Sequence, residues 1–171
     1  MAVDELREGI IDLIKILDKG IAMEHHAQEF YKKAVKKTDS PQGKEMFEWL
    51  VRFEVNHEQK LREKKAEILS HPAMKGVKPP PSEQRMFLSE ANARTKLAPD
   101  ATDVDILHIA IENEERAYAF FTRKFTHAQE DHIKTMFETL AAEEEKHLKI
   151  LTELRRRLQI DGIWGDYKEM E

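Results

Sequence analysis

The sequence predicts an all-α fold: an antiparallel four-helix bundle made of two repeated helical hairpins with a long crossover between them. Three observations carry this. Apolar residues recur at alternating steps of three and four through four long stretches, the period of helices packed along one face. Charged residues fill 36% of the 171 positions, and Gly and Pro number only 6 each, a composition suited to long solvated helices. The chain also resembles itself at a fixed offset: "KEMFEWL" (44–50) lies on "KTMFETL" (134–140). The same offset pairs Glu24 with Glu114, Ala27 with Ala117, Phe30 with Phe120, Glu54 with Glu144, His57 with His147 and Leu61 with Leu151.

The first helix is expected from about Asp4 to Lys37. It breaks at "TDSPQG", where Ser40 can cap and Pro41 can take the first helical position of the next helix. That second helix runs from about Pro41 to Leu69. "HPAMKGVKPPPSEQ" then ends it, because Pro72 and Pro79 to Pro81 do not fit a helix interior. A short helix is expected near Glu83 to Ala93. "LAPDATDVD" opens the third long helix, capped by Thr102 or Asp103 and running to about Phe125. The fourth spans about Glu130 to Gln159. Residues 1–160 thus form the bundle, with a crossover at about 70–102. So long a connection is expected to run the length of the bundle. The tail at 161–171, "DGIWGDYKEME", shows no clear period.

Bulk properties narrow the function. Lys and Arg number 28 against 33 Asp and Glu, a net charge of −5, which argues against nucleic acid as a partner. With no Cys, disulfides, zinc-thiolate sites, Cys-ligated iron–sulfur clusters and thiol catalysis are all excluded. No apolar run approaches the ~20 residues that span a bilayer, so no membrane is expected. "MAVDELREGI" carries neither a basic start nor an apolar h-region, and the expected location is cytoplasmic.

The core-facing stripes hold the informative residues. They read Leu13, Leu17, Gly20, Glu24, Ala27, Tyr31 in the first helix and Phe47, Leu50, Glu54, His57, Leu61 in the second. The third reads Leu107, Ala110, Glu114, Ala117, Phe121, and the fourth Phe137, Leu140, Glu144, His147, Leu151. Each stripe is apolar until mid-helix and turns acidic there. Glu24 lies 13 residues before Lys37 and Glu54 lies 13 after Pro41. At 1.5 Å per residue both sit about 20 Å from the turn. Glu114 and Glu144 repeat the same 30-residue separation. Glu24 therefore faces Glu54, Glu114 faces Glu144, and His57 and His147 lie one turn along.

Four buried carboxylates repel one another, and no Lys or Arg shares their level of the stripes. Two divalent metals would balance four carboxylates beside neutral histidines, whereas one would leave two negative charges in the core. A lone Glu-x-x-His is common by chance in a charged helix. Two of them, each on a core stripe and each 30 residues after another core Glu, are far rarer. The metal-ligand set expected from this pattern is Glu24, Glu54, His57, Glu114, Glu144 and His147. Small residues one turn away (Gly20, Ala27, Ala110, Ala117) leave room for ions and oxygen species.

Other candidates carry less. Tyr31 is either a core tyrosine with a satisfied hydroxyl or a group that hydrogen-bonds a ligand carboxylate or takes part in one-electron chemistry. Glu112 and Glu115 flank Glu114 on other faces as alternative ligands. His25 and His26 flank Glu24 and are expected at the surface or bundle edge, since consecutive helical positions do not share a face. His71, His108, His127 and His132 lie off the stripes or near helix ends and suggest no role. "ELRRRL" (153–158) reads as a solvated helix end favoured by the helix dipole.

On "AMEHHAQEFY", "FEVNHEQKL", "IENEERAYAFF" and "EEEKHLKIL", the chain resembles the rubrerythrin-like branch of the ferritin-like superfamily over about residues 4 to 158. The resemblance implies a ferritin-like bundle with a carboxylate-bridged di-iron site. Glu54 and Glu144 would bridge the ions, with Glu24 and His57, and Glu114 and His147, as terminal ligands. Two departures stand out. Rubrerythrins proper carry a Cys-ligated rubredoxin iron domain, and this sequence has no Cys, so an external electron-donor protein is implied. Rubrerythrins also use a further glutamate one turn after the third-helix ligand, where this chain has Ala117.

The expected function is that of a non-haem di-iron oxidoreductase, a peroxidase or ferroxidase reacting with peroxide or dioxygen in oxidative-stress defence or iron handling. Glu54, Glu144 and Tyr31 stand nearest the chemistry, and two iron ions are the cofactor, with manganese or zinc as alternatives. Carboxylates offer hard anionic oxygen that favours the oxidised ions, and the histidines set geometry. The alternative functions are a non-catalytic iron-storage protein, a dimanganese catalase, or a scaffold whose site has decayed. A homodimer or larger homo-oligomer is expected.

Overall fold

The computed structural model describes residues 3–81, 88, 90, 91 and 95–170. Four long helices carry it: α1 (Val3–Lys37), α2 (Pro41–Leu69), α3 (Asp103–His127) and α4 (Asp131–Asp161). Among the described residues there is no strand, and no helix is long and apolar enough to cross a membrane. The fold is the all-α, ferritin-like class of two paired hairpins. The short helix expected near Glu83 to Ala93 lies outside the described residues, apart from Leu88, Glu90 and Ala91, which are helical.

Local chemistry accounts for where the helices begin and end. Between α1 and α2 only residues 38–40 are non-helical. Ser40 Oγ accepts the backbone N–H of Gly43 at 3.1 Å, and Thr38 Oγ1 accepts that of Ser40 at 3.2 Å. Pro41 follows at the first helical position, where its missing N–H costs nothing. Thr102 caps α3 through a reciprocal pair: its hydroxyl accepts Asp105 N–H at 3.3 Å, and the Asp105 carboxylate accepts Thr102 N–H at 2.8 Å. Gly162 stops α4 in the left-handed region (φ 69°), its N–H reaching Leu158 O at 3.1 Å. The helix runs two residues past the expected Gln159 because that glycine is the first one available to end it.

The chain divides into two compact units, Met1–Glu29 with Val51–Lys96, and Phe30–Leu50 with Leu97–Glu171. In the first, α1 and α2 run antiparallel. Asp18 meets Lys65 at 2.6 Å, and His25 and Gln28 both meet Glu58, so positions rise on one helix as they fall on the other. Its core includes Ile14, Leu17, Ile21 and Leu61. Arg7 Nε donates to Ala73 O at 3.1 Å just beyond α2, and Thr95 meets His26 at 2.9 Å.

In the second unit, α3 and α4 are antiparallel, with Phe121 stacked on Phe137 at 6.2 Å between ring centroids. The end of α1 and the start of α2 add Phe30, Tyr31, Phe47 and Leu50 to this core. Lys37 Nζ donates to Pro99 O, so the crossover touches α1 near its start, at its middle and at its end. Trp164 and Tyr167 anchor the described part of the tail. Trp164 lies against Phe47 and donates to Asp103 Oδ2 at 2.9 Å, and a 3-10 turn at Tyr167–Glu169 buries Tyr167.

Two glycines test the packing. A Cβ on Gly43 would stand 2.8 Å from Trp164 Cζ2 and 2.9 Å from Thr38 Oγ1, whereas one on Gly9 would meet nothing within 4 Å. Gly43→Ala is expected to lower the unfolding free energy by about 1–3 kcal/mol through overpacking. Gly9→Ala is expected to raise it by about 0.5–1 kcal/mol through helix propensity. Urea midpoints of the two variants check both signs.

Candidate metal centre

Each unit holds one buried triad. In the first, α1 supplies Glu24 and α2 supplies Glu54 and His57, the last two a helical turn apart on one face. His57 Nδ1 lies 3.2 Å from Glu54 Oε2 and 3.7 Å from Glu24 Oε2. In the second, α3 supplies Glu114 and α4 supplies Glu144 and His147. His147 Nδ1 lies 3.4 Å from an oxygen of each. All six residues are 0–1% exposed.

Within each triad, one ligand atom per residue lies within 4.8 Å of the others. Atoms bound about 2 Å from a shared ion sit about 3–4 Å apart, so each triad fits a single divalent cation. Two carboxylates and one neutral imidazole are the donor types that iron, manganese and zinc accept. Without a cation the arrangement is strained electrostatically. Burial, reinforced by the Glu144 charge, pushes the Glu114 carboxyl up to about 7, against a lowering by His147.

Flanking groups hold the triads in place. The Tyr31 hydroxyl donates to Glu114 Oε1, so the tyrosine is core and carboxylate partner at once. Gln28, buried on α1, donates Nε2 to the Glu54 backbone carbonyl at 3.1 Å and to Glu58 Oε2 at 2.6 Å. This clamps the two helices beside the first triad. Glu58 is held in turn by Arg62 at 2.5 Å. Phe53 packs edge-on against His57 at 6.4 Å, and Trp49 against His147 at 5.3 Å.

The other sequence candidates fall elsewhere. Glu112 is half-exposed between His108 and Arg116, and Glu115 is exposed, so neither joins the triad. His25 is half-exposed as expected. His26 is not: it is buried, with Nε2 2.9 Å from Thr95 Oγ1. The neighbour rule that put it at the surface considers α1 and α2 only, and the crossover covers that face. Gln28, Trp49 and Glu58 carried no sequence signal, because each matters through a partner on another segment.

The profile of the Rubrerythrin family matches residues 15–155. The solved structure of a hypothetical protein from Pyrococcus furiosus is similar, with a TM-score of 0.66 over 86% of this chain and 90% of that one at 23% identity. That likeness concerns the fold. No curated protein sequence matches.

The raised Glu114 pKa sets a pH dependence. Its folded value of about 7 lies above the ordinary 4.5, so its contribution is fully present below pH 4.5 and is lost as pH rises toward 7. The loss is on the order of 3 kcal/mol. In metal-free protein, Glu114→Gln should match wild type below pH 4.5 and be the more stable above 7. Denaturant unfolding across that range checks it, and a variant uniformly less stable would contradict it.

Proposed function

Because the chain belongs to the rubrerythrin family, we propose that its two buried triads together hold a pair of iron ions and that the loaded protein is a non-haem oxidoreductase acting on peroxide or dioxygen. The observation that carries this reading is the pair of buried Glu/Glu/His triads, each of ion-binding size, at positions related by the internal repeat. Four carboxylates contribute four negative charges and two divalent ions four positive ones, so the loaded core is neutral.

A bound iron pair supplies two electrons, one per ion, for reduction of the oxidant. The chain's residues do the rest. Glu54 with Glu24 and His57, and Glu144 with Glu114 and His147, would hold the ions. Tyr31 directs its proton at Glu114 Oε1, which fixes that carboxylate's orientation and leaves its second oxygen facing His147. Gln28 holds the backbone of Glu54 against α1. The apolar surroundings, including Leu50, Ala110, Leu140 and Leu151, exclude water and limit stray oxidation. These 171 residues hold no Cys for an iron–thiolate centre, so electrons would reach the bundle from a donor outside them.

Anaerobic Fe(II) titration should saturate near two irons per chain, the count the two triads imply. Addition of peroxide should then raise the near-ultraviolet absorbance as the bound iron is oxidised. Glu54→Ala and Glu144→Ala should each cut peroxide consumption at least about tenfold, since even residues that only support a ligand cost that much. Failure to bind metal would overturn the reading. Two-iron binding without turnover would favour iron handling over redox catalysis.

A further inference from the structure

We propose that Trp49 and Tyr167 form a one-electron relay between the protein surface and His147. The inference rests on the di-iron reading for what lies beyond His147, but the coupling of the two rings stands on its own geometry.

The rings follow one another without a gap. Trp49 meets His147 edge-on at 5.3 Å between centroids and meets Tyr167 at 5.3 Å, tilted by 46°. Both distances fall in the range of direct ring contact. Trp49 is 7% exposed and Tyr167 5%, so little water must reorganise when either changes charge. The outer end lies at the surface. Exposed Lys168 stands 5.8 Å from the Tyr167 ring centroid and is anchored by Glu45 at 2.6 Å. Tyr167 is held by a capped turn, with Asp166 Oδ1 accepting Lys168 N–H at 2.9 Å.

A second line of rings leads from Glu114 through Tyr31 and Phe47 to Trp164, at 6.1 and 6.0 Å. Its middle member, Phe47, has no accessible one-electron oxidation, so that line is interrupted. The Trp49–Tyr167 line consists only of oxidisable rings.

The chemistry balances. When an electron leaves Trp49 toward His147, the indole also releases its N–H proton to solvent and becomes a neutral radical. Tyr167 returns one electron and one proton to it and is left as a neutral phenoxyl. The external one-electron donor and a proton from water restore the phenol. Two such passes, with two further protons, reduce one peroxide to two waters, peroxide being the oxidant of the proposed reaction.

The test uses the full chain loaded with zinc, which is redox-inert, in a Trp164→Phe background that leaves Trp49 as the sole tryptophan. Azide radicals from pulse radiolysis oxidise the indole. The indolyl absorbance should decay while phenoxyl absorbance grows at the same first-order rate, independent of protein concentration. Tyr167→Phe, which keeps the ring, should abolish that growth, and Tyr118→Phe should leave it intact. Indolyl decay without phenoxyl, or growth that survives Tyr167→Phe, overturns the relay. In iron-loaded wild type quenched after peroxide, a phenoxyl electron-spin signal absent from Tyr167→Phe supports its use in turnover. Peroxide consumption with no such signal overturns that use. Absence of iron binding would overturn the di-iron reading and leave the ring coupling as measured with zinc.

Discussion

Charge buried beyond the reach of water is the constraint on which the rest of the structure depends. Four carboxylates and two imidazoles at 0–1% exposure are unfavourable anywhere in a protein unless something compensates them. The helices must therefore deliver these groups to set heights with little tolerance. A side chain one position off on a helix turns by about 100° and leaves the stripe. The tight turn at 38–40, the Ser40 and Thr102 caps, and the Gln28 clamp all serve to hold register. The upward displacement of the Glu114 pKa is the same tension seen from a single group.

The two triads match in residue types but not in surroundings. The repeat puts Phe121 where the first copy has Tyr31, so only one copy offers a phenol. That phenol serves Glu114, in the triad of the other hairpin. Trp49 lies against His147, and its repeat counterpart is Thr139, which has no ring. Duplication thus explains the two triads, while what surrounds them has diverged. Two ions held here would differ in the polarity and redox partners of their environments, although the atoms binding them are alike in kind.

Much of this was legible in the chain. Helix limits followed from proline, glycine and capping chemistry, which act locally and need no partner. The stripe residues followed from periodicity, and the height of Glu24 against Glu54 from counting along two helices joined by a short turn. What could not be read depends on segments far apart in sequence. His26 is buried because Thr95, 69 positions away, lies on it. Gln28 matters because of a backbone carbonyl on α2. The tail looked aperiodic because Trp164 and Tyr167 each fill a place prepared by other helices rather than following a rhythm of their own.

The contrast between the three-residue turn at 38–40 and the 33-residue passage at 70–102 also shapes how such a chain can change over generations. Between Glu24 and Glu54, gaining or losing one codon would swing one of these carboxylates out of its triad, so this segment is closed to length variation. The same holds between Glu114 and Glu144. The passage joining the two halves contains none of the six triad residues, and a longer or shorter version need only reach from the end of α2 to the start of α3. Length differences among descendants of this design should gather there and in the tail, and lineages would diverge in their surfaces while the spacing inside each half stays frozen.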